Sequence, residues 1–125
     1  MVIGMCDGVF DLMHVGHIRH LNACKTHCDF LIVAIADDKY AGRKGEARPY
    51  IGQEDRLLSI KSLKCVDLAI LCDGGVGIVN QINPDVYFKN WDYALDPGLN
   101  KDIKVIRMDV YGSTTKLVEM IKKKG

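Results

Sequence analysis

Two imidazoles and two glycines fall within one ten-residue stretch, Gly8-Val-Phe-Asp-Leu-Met-His14-Val-Gly16-His17. His14 and His17 are three residues apart, so at a helix start both rings project to one face beside the positive end of the dipole. Gly8 leaves backbone bare where a phosphate can approach, and Gly16 keeps bulk off the turn between the rings. Together these groups suit a polyphosphate held while it is attacked. The alternative is that the histidines only cap the turn. A His-x-x-His zinc pair lacks further ligands nearby. Neither a Walker loop nor a G-x-G-x-x-G fingerprint is present; Gly75-Val-Gly77 is the nearest approach, with Asn80 where the third glycine would fall.

Three other segments carry chemistry-bearing residues. Ser113-Thr114-Thr115 opens the last helical segment and is a sound N-cap, and hydroxyls with free amides at a helix start also suit an anion. Arg43-Lys44-Gly45-Glu46-Ala47-Arg48-Pro49 is a charged, glycine-bearing loop of the kind usually left in solvent. Lys89-Asn90-Trp91-Asp92-Tyr93 follows an apolar run, and Trp91 there is a lid, a dimer contact or ordinary packing.

The elements that must position these groups alternate along the chain. Short apolar runs at Val2–Cys6, Phe30–Ala36, Val66–Leu71, Val86–Phe88 and Ile103–Met108 read as strands, Phe30–Ala36 apolar at every residue as in a buried parallel sheet. Helical spacing runs from His14 to Cys28, over Gln53–Leu63, near Ile78–Ile82 and over Ser113–Lys123, where lysines at the end complement the dipole. Residues 37–52 and 89–101 show no period and read as loops. The expected architecture is α/β: one Rossmann-like domain over residues 1–125, a five-stranded parallel sheet with helices on both faces and ligands at the carboxyl ends of the strands.

Composition narrows the function classes. The 125 residues carry 17 Lys+Arg against 16 Asp+Glu, a balance that argues against nucleic acid as partner. No apolar run reaches the ~20 residues of a membrane span. The start of the chain lacks the basic region of a signal peptide. Five cysteines without a repeated C-x-x-C pair point to free thiols in a reducing cytoplasm.

Residues 8–17 resemble the G-x-F-D-x-x-H-x-G-H signature of the cytidylyltransferase-like nucleotidyltransferases, and Ser113-Thr-Thr115 resembles the S-T-T hallmark of the same superfamily. The resemblance implies transfer of a nucleoside monophosphate from CTP or ATP to a phosphorylated small molecule, with Mg²⁺, in a homodimer. It implies nucleotide contacts from Gly8, Val9, Phe10, Asp11, Gly16, Lys89, Asp92, Ser113, Thr114 and Thr115, and catalytic roles for His14, His17 and Lys44. Asp11 is also implied near the metal. The loop at 43–49 is similar to the K-G-x-x-R-P loop of sugar-phosphate adenylyltransferases, which implies acceptor contacts from Arg48, and from Arg56 in the next helix. Arg56 could otherwise pair with Glu54 or Asp55. Asn90-Trp91 departs from the K-G-G-D-Y or G-D-D-W turn, and Met108 stands where R-T-x-G-x-S-T-T has arginine. The compact chain resembles the smallest glycerol-3-phosphate cytidylyltransferases and favours CMP transfer to an acceptor such as glycerol 3-phosphate. The alternatives are adenylyl transfer to a sugar phosphate or FMN, or a nucleotide-binding module without turnover.

Overall fold

The computed structural model describes residues 1–44, 49–91 and 93–109. Five strands, β1 (Ile3–Gly8), β2 (Phe30–Ala36), β3 (Leu68–Cys72), β4 (Val86–Asn90) and β5 (Lys104–Met108), form one sheet in the order β3-β2-β1-β4-β5, every pair parallel. Four helices, α1 (Val15–Lys25), α2 (Asp38–Ala41), α3 (Gln53–Lys61) and α4 (Gly77–Ile82), stand between the strands. The chain starts in the middle of the sheet, builds outward through β2 and β3, then returns to the other side of β1. The order therefore reverses between β1 and β4, and an open parallel sheet binds ligands at such a crevice.

Alternation along the strands divides the core in two. Cys6, Leu31, Val33, Ile35, Val86 and Phe88 face Leu21 and Cys24 of α1 and Ile60 of α3. Met5, Ile32, Ala34 and Tyr87 face the opposite way, toward Val79 of α4 and Ile103. Both faces are thus covered, which is why β2 is apolar at all seven positions. The same alternation sends Asp7 to the α4 face, two residues after Met5.

The segment 37–52, expected as a loop, contains α2 and a 3₁₀ turn at Gly42–Lys44. The Asp37 carboxylate caps α2 by accepting the Tyr40 N–H at 2.8 Å. Four residues are too few to show a helical period, so only the cap signals this element. The helix expected at Ser113–Lys123 lies outside the described residues.

One buried cation ties the loops at the carboxyl edge together. Arg56 of α3 is 1% exposed. Its Nε donates to the Ile51 carbonyl at 2.9 Å, and its Nη1 donates to the carbonyls of Val9 at 2.8 Å and Ala36 at 2.7 Å. Its Nη2 meets Asp38 at 2.8 Å. The planar guanidinium fork serves four acceptors on four segments, a geometry an ammonium does not reproduce. The partner is Asp38, not the neighbouring Glu54 or Asp55. Arg56 is accordingly an internal clamp. Replacing Arg56 with Ala is expected to cost about 3 kcal/mol or more of unfolding free energy, because buried carbonyls lose their donors. Urea denaturation checks this, with Arg56→Lys recovering only part of the loss; a variant as stable as the parent would refute the clamp.

Candidate functional site

The head of α1 is built from the two histidines themselves. His14 is the N-cap residue, and its Nδ1 accepts the Gly16 N–H at 3.0 Å. His17 reaches back, its Nδ1 accepting the His14 N–H at 3.1 Å. This is a capping box made with imidazoles in place of hydroxyl and carboxylate. A ring nitrogen that accepts carries no proton, so in each neutral ring the proton sits on Nε2. The two rings lie 4.2 Å apart between centroids and present two N–H donors side by side. Burial, then the charges of His14 and His20, push the His17 pKa down to about 4, so it stays neutral at pH 7. Capping and anion binding, rivals in the sequence, use different nitrogens of the same rings.

The turn before α1 is held in an uncommon shape. Phe10 and Leu12 have φ of 55° and 49°, the left-handed region that side chains other than glycine rarely enter. Phe10 is buried, its ring edge-on to His17 at 5.7 Å. A Cβ on Gly8 would lie 3.0 Å from that ring, so Gly8 makes room for Phe10 as well as baring the backbone. The Asp11 carboxylate accepts the N–H groups of Tyr50 and Ile51, each at 3.0 Å, one on each oxygen. It binds the turn to the segment before α3. Among the described residues no group of three or more His, Cys, Asp or Glu side chains is placed to hold a metal. Mg²⁺ needs near-octahedral oxygen ligands. Mg²⁺ at nucleotide sites is held by one or two carboxylates together with phosphates, and Asp11, besides stapling these loops, is the carboxylate of this turn.

On the other face of β1, the carboxyl ends of β1 and β4 open into a cavity of about 280 Å³. Its floor is polar. Lys89 Nζ lies 2.9 Å from Asp7 Oδ1, and the Tyr87 hydroxyl donates to Asp7 Oδ2 at 2.6 Å. The Lys89 ammonium also stands 3.9 Å from the centre of the Tyr93 ring and 5.3 Å from that of Tyr87. Burial, with Asp7 beside it, pushes the Tyr87 pKa far up, so the phenol remains a donor. Tyr40 and Arg43 form the opposite wall, the guanidinium carbon 5.1 Å from the Tyr40 ring centre. Gly74, at φ 83°, lies flat under Tyr40, and a Cβ there would enter the ring.

Of the expected site residues, His14, His17, Gly8, Val9, Phe10, Asp11 and Gly16 gather at the head of α1 and the turn before it. Lys89 stands apart from them on the cavity floor, engaged with Asp7. Lys44 ends the 3₁₀ turn. The side chain of Lys44, Arg48, Asp92 and Ser113–Thr115 lie outside the described residues. Sequence reading missed Asp7, Tyr40 and Tyr87. A carboxylate closing an apolar strand was the one available signal, and its partners depend on strand order.

The depressed His17 pKa has a thermodynamic consequence. Between about pH 4 and 6.5 the unfolded chain holds the His17 proton and the folded chain does not. Stability therefore falls as pH drops through that window. The urea midpoint is expected to decrease from pH 7 to pH 4.5, and to decrease less in His17→Asn.

Comparisons with known proteins agree with this geometry. The family model described as cytidylyltransferase-like matches residues 5–122. Bifunctional protein HldE of Geobacter sulfurreducens is 32% identical over 118 residues, covering 92% of this chain and 23% of its own length. Bifunctional protein HldE of Pseudomonas fluorescens is 35% identical over 128 residues, covering 94% and 27%. The chain thus spans about a quarter of the length of these curated relatives. The crystal structure of the lipopolysaccharide core biosynthesis protein from Thermoplasma volcanium GSS1 superimposes with a TM-score of 0.77 at 31% identity, covering 90% of this chain and 99% of that one. With its two-histidine turn, its strand order and a match running from residue 5 to residue 122, the chain belongs to the cytidylyltransferase-like nucleotidyltransferase family.

Proposed function

We propose that this chain moves an adenylyl group from ATP to a phosphorylated sugar and releases pyrophosphate. The observation that carries this reading is the pair of Nε2–H donors fixed at the head of α1, with a separate polar cavity across the end of β1. One face then serves the triphosphate and the other the acceptor. The acceptor phosphate has its second pKa near ~6 and is an anionic nucleophile at pH 7. Its oxygen attacks the α-phosphorus, a P–O–P bond forms, and the bond to the β-phosphate oxygen breaks with its electron pair leaving on pyrophosphate. No general base and no covalent enzyme intermediate are required.

Catalysis is then alignment and charge stabilisation. His14 and His17 donate to triphosphate oxygens as charge grows, each lowering the barrier by about 3 kcal/mol if they act like oxyanion donors. Neutral imidazoles do this without a proton transfer. Lys44, Asp92 and Ser113–Thr115 belong to the proposal as further nucleotide contacts, and Arg48 as an acceptor contact. Lys89 joins the acceptor side, given its place in the cavity. Family members are generally metal-dependent; Mg²⁺ would neutralise charge on the triphosphate here, with Asp11 as the carboxylate near it. The reading includes a homodimer in the cytoplasm, and the five unpaired thiols suit a reducing compartment.

ATP is preferred to CTP for two reasons. The named relatives point to adenylyl rather than cytidylyl transfer, and to a sugar phosphate as acceptor. The loop at 43–49 and Met108 in place of arginine agree with them. Against these, the compactness that favoured CTP is a weaker argument. With a hexose 1-phosphate as acceptor, pyrophosphate release is expected to show kcat/KM for ATP at least about tenfold above CTP. The reverse order would return the cytidylyl reading. His17→Asn, which keeps an oxygen to cap the helix, is expected to lower kcat about a hundredfold or more with little change in Tm. Near-parental turnover would remove the imidazoles from the mechanism.

A further inference from the structure

The cavity beyond β1 holds a combination that would ordinarily attract a small cation. A carboxylate, Asp7, stands at its floor with the rings of Tyr87 and Tyr93 beside it. Ring faces and a carboxylate, partly withdrawn from water, form a site for an ammonium group. The occupant is already present. Lys89 fills the position, 2.9 Å from the carboxylate and 3.9 Å over the Tyr93 ring, with its side chain 12% exposed. We propose that Lys89 is a specificity-determining residue: by occupying the Asp7–Tyr93 cage it bars positively charged acceptors and turns the floor of the cavity toward uncharged hydroxyl groups.

The chemistry of the remaining wall agrees. Among the described residues the other cation at the cavity is Arg43, stacked on Tyr40, and the other carboxylate is Asp96, one oxygen of which accepts the Gly98 N–H at 2.8 Å. An acceptor carrying an ammonium would meet the like charges of Lys89 and Arg43 and would find Asp7 already paired with one of them. A polyol meets the reverse situation. An ammonium has three donors, and among the described residues Asp7 accepts one of them, leaving two to offer to hydroxyl oxygens. Asp7 in turn has lone pairs left to accept from a hydroxyl. The assignment of this cavity to the acceptor rests on the adenylyltransferase reading above; the filling of the cage by Lys89 does not.

Lys89→Met empties the cage and leaves Asp7 and Tyr93 in place. Calorimetric titration with tetramethylammonium chloride is expected to show saturable binding to Lys89→Met at least tenfold tighter than to the parent protein, and lost again in Lys89→Met/Tyr93→Ala. Equal binding by parent and Lys89→Met would overturn the proposal. A second measurement needs no folded Lys89→Met. In the parent protein the Lys89 ε-methylene protons are expected upfield of ordinary lysine values through the Tyr93 ring current, and Tyr93→Ala is expected to return them. Unshifted protons would equally overturn it. Turnover separates this claim from the one beneath it. If the parent protein releases no pyrophosphate with ATP and any sugar phosphate, the function assigned to the chain falls while the titration still decides the cage. If it does, a phosphorylated amino alcohol is expected to be at least tenfold poorer, and Lys89→Met to narrow that gap; an unchanged ratio would refute the filter.

Discussion

The candidate site depends on a single guanidinium sealed beneath it. Arg56 holds the carbonyl of Val9, the last residue of β2 and the segment that enters α3, while reaching Asp38 at the rim. Loops at the carboxyl edge of a parallel sheet have no ladder of their own, so their backbone groups need partners from elsewhere. Arg56 supplies donors to three of them at once. Asp11 closes the same connection from the other side by accepting two backbone N–H groups of the segment Arg56 also grips. Charge of each sign thus binds the turn before α1 to the start of α3. The histidine turn is held by the body of the protein and not by its own sequence alone.

Rigidity at that turn matters because the imidazoles have two tasks. Each Nδ1 completes the helix start, and each Nε2 is left to face outward. The hydrogen bonds that stabilise the fold select the tautomer that donates. Desolvation keeps His17 neutral over the working range of pH, so its donor does not change character with small shifts in acidity. A helix cap of serine or aspartate would have satisfied the same amides and left nothing to present.

Much of this was legible in the sequence, for reasons that vary by element. Phe30–Ala36 was found to the residue because burial on both faces demands an unbroken apolar run. The spacing of His14 and His17 placed both rings on one face, as the structure has them. What escaped depended on long-range partners. Arg56 looks like any cation on a short helix, and nothing local says that three acceptors from distant segments converge on it. Tyr87 and Lys89 lie 80 and 82 residues from Asp7, and become its neighbours only because β4 pairs with β1 in the register that sets Met5 against Tyr87. The helix at Asp38–Ala41 was hidden by its brevity.

The contact between Gly74 and Tyr40 carries a last consequence. The ring lies against a residue with no side chain, in a backbone conformation that others resist, so one hydrogen atom fixes how far α2 stands from the turn after β3. Any larger residue there would push that wall outward and widen the cavity without touching the histidines or the clamp. Descendants of this chain adapting to bulkier molecules would find at position 74 a hinge between chamber size and chemistry, adjustable on one side while the other is left alone.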